Sequence, residues 1–190
     1  MDFVNVLSPS RRAFVNESLS FVGCSLGLGL LAQIEVPLWF TPVPITLQTF
    51  GVMLIAALCG GRRGFYALLV YLAEGALGVP VFAGGSAGVA VLMGPTGGYL
   101  FGFPIAAFLM GSLLEKRKSF SKILLTMLVG SLVMLGSGAL WLSFLVGGSA
   151  ALKLGVYPFL IGSGLKSLAA SSLIFSYTKR KREKHNCDLC

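Results

Sequence analysis

Histidine occurs once in these 190 residues, as His185 near the C-terminal end. No Ser-His or Cys-His nucleophile pair can therefore form in the body of the chain. Acid is scarce as well, with seven Asp and Glu against fifteen Lys and Arg. Glu35 and Glu74 lie in different segments, so the paired carboxylates of acid-base catalysis are missing. No G-x-x-x-x-G-K-[ST] loop is present. The glycine-rich stretch Gly84-Gly-Ser-Ala-Gly88 lacks the Lys and the following helix start of a phosphate cradle. These absences exclude the common hydrolase and nucleotide-binding designs, and an ATP-driven pump would need its ATPase on another chain. No enzyme, cofactor or metal is expected. The tail string His185-Asn-Cys187-Asp-Leu-Cys190 is half a zinc site by composition; half a site rarely holds metal alone, and a disordered, reduced cytoplasmic tail is the expectation adopted.

Charge is thin overall. Charged residues make up 12% of the chain and hydrophobic ones 55%, with mean hydropathy +0.85. A soluble domain carries about 25% charged residues, so the chain reads as a membrane protein. Thirteen of the fifteen basic residues fall in four places: Arg11–Arg12, Arg62–Arg63, Lys116 to Lys122, and the tail from Lys179 to Lys184. The four alternate with the gaps between six apolar segments, and Lys and Arg collect in short cytoplasmic loops. The expected fold is an all-α membrane protein with six transmembrane helices in one bundle and both termini cytoplasmic. The segments run roughly 13–36, 47–60, 64–79, 99–114, 123–146 and 156–177. The organisation is then a cytoplasmic segment 1–12, a transmembrane domain 13–178 and a basic tail 179–190. The first apolar stretch is too long for a signal-peptide core and is read as retained. The net charge of +8 is spread over loop ends without a basic helix face or a stacking strip, so it reports topology and contact with the lipid bilayer, not nucleic acid.

The external connections are apolar. Residues 37–48 hold Trp39 and Phe40 among three prolines, and 80–98 hold Phe82, Leu92 and Met93. Such loops have no reason to stay in water, and non-helical backbone survives at membrane depth only against protein or a cavity. Both are expected to fold over the outer mouth of the bundle, either capping a ligand pocket or plugging it without a ligand. Lys166 lies about two turns into the sixth segment. A bare cation near mid-membrane costs roughly 2.5 to 3.5 kcal/mol. It should face the interior toward Glu74, Glu35 or a ligand carboxylate or carbonyl, unless it snorkels outward. Gln48 and Thr46 can supply neutral polar contacts; Trp39, Phe82 and Tyr99 can supply apolar walls with polar tips. Glu74 facing solvent at a helix end stays open. Small residues at four-residue spacing in the first segment, Gly23/Gly27 and Ser25/Gly29, allow close helix approach, either within the bundle or as a docking face for a partner helix.

The string Thr41-Pro-Val-Pro-Ile-Thr-Leu-Gln-Thr-Phe-Gly-Val-Met-Leu54 resembles a signature of the BioY family, the biotin-binding S components of energy-coupling-factor transporters. Gly94-Pro-Thr-Gly-Gly-Tyr-Leu-Phe-Gly-Phe103 resembles a second signature, and Pro80–Ala83 and Val156–Leu160 followed by Lys166 match too. The resemblance implies a six-helix S component of the plasma (inner) membrane that captures biotin from outside. It implies partners as well, a transmembrane T subunit and two ATPase subunits, with the first helix docking through small residues such as Ser25 and Gly29. Binding residues carry over to Lys166, Gly84 and the loop of Thr96, Gly98 and Tyr99, with the lid ending at Gln48. Two positions depart from the pattern: Ser163, which like Gln48 can still hydrogen-bond the ureido group of biotin, stands where the family commonly has Asp, and Ser86 where many members have Arg. An acid and a base lost together would leave the pocket's net charge unchanged and Lys166 as its main cation. A carrier driven by a proton gradient through Glu35 or Glu74 remains the competing expectation.

Overall fold

The computed structural model describes the backbone of residues 9–114 and 119–187, with side chains over 16–114 and 119–180. Six main helices follow the apolar segments: α1 (Pro9–Ala32), α2 (Gln48–Cys59), α3 (Gly61–Ala76), α5 (Gly97–Leu114), α6 (Phe120–Val146) and α8 (Tyr157–Cys187). Two short helices sit in the connections, α4 (Val89–Met93) and α7 (Gly148–Gly155), and a 3-10 turn spans Ala83–Gly85. A two-stranded antiparallel hairpin, β1 (Glu35–Val36) with β2 (Ile45–Thr46), is the single departure from an all-α description among the described residues.

By length and composition α5, α6 and the part of α8 over Tyr157–Arg180 are apolar enough to cross a membrane. The outer faces agree: Leu125, Leu132, Leu140 and Phe144 on α6 and Ile161, Leu165 and Leu173 on α8 are exposed. So wide an apolar surface would be untenable in water. The second helix is different. Its 12 residues rise only about 18 Å against roughly 30 Å of hydrocarbon. The hairpin leads into its first turn, and Ile45 and Thr46 of the hairpin line a cavity together with Gln48.

Segment boundaries moved where local chemistry competes with the helix. The first helix ends at Ala32, short of the expected residue 36, because Glu35 and Val36 are taken by the ladder to Thr46 and Ile45. Prolines 37, 42 and 44 favour extended backbone in the residues before them. The last helix runs past residue 177 to Cys187, so the basic tail begins as helix. The tail cysteines and His185 lie outside the residues whose side chains are described, as do Arg11 and Arg12.

Small residues set the helix spacing. Gly102 lies against Ser137, Gly130 against Met110 and Gly111 against Gly61, each with no room for a Cβ. That brings α5 into close contact with α6 and α3, as glycine faces do in lipid. A buried hydroxyl pair, Ser131 with Ser167 at 3.0 Å, joins α6 to α8.

On the first helix, Ser25 is fully buried and donates to the Glu74 carboxylate on α3, while Gly29 packs on Val81. Both pack within the bundle, the first of the two uses expected for the small residues of this helix. Gly23 and Gly27 have open space before them. Two residues at about 100° each put these pairs on opposite sides of the helix.

Candidate functional site

The connections that follow α1 and α3 close over one end of the bundle. Thr41 Oγ1 donates to the Leu154 carbonyl of α7 at 2.8 Å, which straps the first loop across the mouth. The second loop turns inward at Gly84, Gly85 and Gly88, all with positive φ, a conformation that glycine alone adopts without penalty. Val81, Phe82 and Leu92 of that loop are buried. Trp141 Nε1 on α6 donates to the Gly94 carbonyl at 3.0 Å and fixes where the second loop ends.

Beneath them lies a cavity of about 230 Å³. Its walls are mainly apolar: Val43, Ile45, Phe82, Leu100, Phe103, Leu135 and Phe159. Polar groups enter from Thr46, Gln48, Thr49, Ser86, Thr96, Ser163, Lys166 and Glu35. A mostly apolar concavity with a few placed polar groups is the common form of a small-ligand site.

Lys166 is half-buried on α8. Its ammonium donates to the Thr46 carbonyl at 2.5 Å and to Thr49 Oγ1 at 3.2 Å. Neither Glu35 nor Glu74 pairs with it; among the described residues the one ion pair is the exposed Arg63–Glu17, at 3.1 Å. An ammonium carries three donors, and the two protein partners are neutral oxygens. The ammonium therefore has no ion-pair partner among the described residues.

Gln48 and Tyr71 hold the wall in place. Gln48 Oε1 accepts from Thr46 Oγ1 at 2.9 Å, and its Nε2 donates to the Tyr71 hydroxyl at 2.7 Å. Tyr71 then donates to the Val81 carbonyl at 2.8 Å. One buried chain of hydrogen bonds thus links the hairpin, α3 and the second loop. Tyr71 also stacks edge-on with Phe82, whose ring fills the space beside Gly75. Tyr99 places its ring on Gly138 and donates to the Gly155 carbonyl at 2.6 Å, so it presents an apolar face to the cavity and no free hydroxyl.

Of the residues expected to touch a ligand, Lys166, Ser163, Gln48, Thr46, Phe82, Thr96 and Tyr99 line the cavity. Four do not. Trp39 is 96% exposed at the loop tip, edge-on to Phe40. Glu74 is held by Ser25 on the far side of α3. Gly98 packs on Trp141 and Ser137 and serves the α5–α6 contact. Gly84 lies just behind the wall formed by Ala83 and Ser86, with the Glu35 carboxylate over it. Residue-by-residue reading did not single out Thr49, although it lies about one turn past Thr46 and reaches the same ammonium. Phe159, Leu100 and Phe103 were likewise not distinguished from ordinary helix packing. Ser86 and Ser163, the two positions that depart from the family pattern, line the same cavity.

The BioY family model matches residues 9–183. A probable biotin transporter BioY of Pyrococcus horikoshii is 45% identical over 139 residues, covering 73% of this chain and 82% of that protein. The biotin transporter BioY of Thermotoga maritima is 39% identical over 154 residues, covering 80% and 90%. Among solved structures, the S-component for biotin from an ECF-type ABC transporter superposes with a TM-score of 0.78 at 26% identity, over 91% of this chain and 95% of that one.

Proposed function

The chain belongs to the BioY family, a family of transporters and not of enzymes, and from that membership and the cavity we propose that it is the biotin-binding S component of an energy-coupling-factor importer. It captures biotin on the outer side of the plasma membrane, with six spans, both termini inside and the strapped loops outside. The placement of basic residues supports this orientation: Arg62 and Arg63 lie at the end of the bundle away from the cavity.

The observation that carries the ligand assignment is Lys166, a half-buried cation with neutral oxygens as its protein partners, set in an apolar cavity. Burying such a charge is costly unless it is paired, and a ligand carboxylate supplies the missing partner. A charge-assisted hydrogen bond contributes about 1.5 to 3 kcal/mol. Each 100 Å² of apolar ligand surface buried against the walls adds about 2.5 kcal/mol. Biotin combines a carboxylate, an aliphatic chain and a compact ring, and so fits both terms. Ser86 and Ser163 on one cavity agree with the joint loss of a base and an acid, which leaves Lys166 as the one cation among the lining residues.

Proteoliposomes carrying the chain test the role. Alone they should retain labelled biotin saturably, and accumulate it only when a T subunit, ATPase subunits and ATP are added. Absence of saturable retention refutes the proposal. Accumulation driven by a proton gradient without partners would replace it with a solo carrier.

A further inference from the structure

The cavity holds two charged side chains of opposite sign, and the biotin reading uses only one. The other is Glu35 on β1. Its backbone is fixed by strand pairing opposite Thr46, the residue whose carbonyl takes the Lys166 ammonium. Its carboxylate lies over the 3-10 turn, where a Cβ on Gly84 would come within 2.7 Å of Oε1. The side chain is thus confined between hairpin and turn. Yet the Glu35 carboxylate makes no hydrogen bond or ion pair among the described residues, whereas Glu74 is held by Ser25 and Glu17 by Arg63. Glu35 and Lys166 stand in one cavity without pairing with each other.

An acceptor-only group against apolar walls needs donors. We propose that Glu35 is a specificity-determining residue, accepting an N–H hydrogen bond from the ureido ring of the ligand while Lys166 holds the carboxylate. The inference rests on the biotin reading above. It makes the cavity bipolar, with one end for an anion and one for an N–H donor. A cyclic urea presents N–H, C=O and N–H along one edge, and the two N–H groups diverge, so one carboxylate takes one of them. An acid of similar length without N–H, such as lipoate, satisfies Lys166 but leaves the half-buried Glu35 without a donor. Sites built around a hydrogen bond reject the analogue lacking it far more strongly than apolar pockets reject a changed methylene.

Calorimetric titration of the purified full chain tests this, with biotin and lipoate as the two probes. Wild type should bind biotin well ahead of lipoate. Glu35→Gln and Glu35→Ala should weaken biotin about tenfold or more, because a charged acceptor is replaced by a neutral one or by none. The same variants should weaken lipoate less or tighten it, narrowing the preference. A structural defect would weaken both ligands alike, and that result overturns the proposal. So does biotin affinity in the variants equal to or tighter than wild type, which would mean that Glu35 repels the ligand's anion. Wild-type protein that binds no biotin sinks the parent reading itself, whereas wild-type binding with indifferent variants sinks this inference alone.

Discussion

Lys166→Met separates the ligand's contribution from the fold's. The substitution keeps an unbranched side chain of similar length and removes the charge. In the ligand-free protein two terms oppose each other. A cation at membrane depth costs roughly 2.5 to 3.5 kcal/mol, and removing it recovers that. Its hydrogen bonds to the Thr46 carbonyl and Thr49 Oγ1 are lost, at about 1.5 to 3 kcal/mol each for a charged donor. The second, at 3.2 Å, belongs at the weak end of that range. The terms nearly cancel, so the melting temperature of the apo protein should shift by only a few degrees. Binding has no such compensation. A carboxylate entering the cavity finds no cation and loses about 1.5 to 3 kcal/mol, which is roughly 10- to 150-fold in Kd. Lys166→Gln, which keeps a neutral donor, should fall between. The assay is biotin titration of wild type and both variants in the same detergent, with thermal unfolding recorded in parallel. Unchanged affinity in Lys166→Met refutes the assignment. Affinity lost together with a collapse of the apo melting temperature would show that Lys166 is a structural residue.

Two further outcomes follow from the same geometry. Tyr71→Phe removes the hydroxyl that accepts from Gln48 and donates to the Val81 carbonyl, leaving buried groups unpaired at about 1 to 3 kcal/mol; thermal unfolding should report the loss, with weaker biotin binding because Phe82 loses its support. Thr41→Val cuts the strap to Leu154; stopped-flow displacement should show faster biotin release with little change in association, since the loop then opens more readily.

Much of the fold was legible because membrane helices advertise themselves. The basic clusters and apolar runs located six helices, and the prolines and apolar residues of the two loops indicated that both cover one end of the bundle, although of their aromatics Phe82 is buried while Trp39 and Phe40 are exposed. Lys166 was legible for the same reason, as a cation in an apolar run. What escaped the sequence was direction. Trp39 sits in a loop that does cover the cavity, yet its side chain leaves the loop on the solvent side, and no periodicity exists there to say so. Glu74 and Lys166 looked like partners because both are ionisable groups in apolar segments; the facing Ser25 on α1 settled Glu74 elsewhere. The split of Ser25/Gly29 from Gly23/Gly27 was available from helical geometry alone, since two residues of offset reverse the face. Glu35 lay beyond a helix end that the apolar run concealed, and only the hairpin register placed it beside Thr46.

The central claim is that biotin's carboxylate is the ion partner that Lys166 lacks in an otherwise largely apolar cavity. Titration of the purified wild-type chain with biotin, set beside biotin methyl ester, tests it most directly. The account predicts saturable one-to-one binding of biotin and a loss of at least tenfold for the ester, whose ring and chain are intact but whose anion is gone. Equal affinity for the two would contradict it.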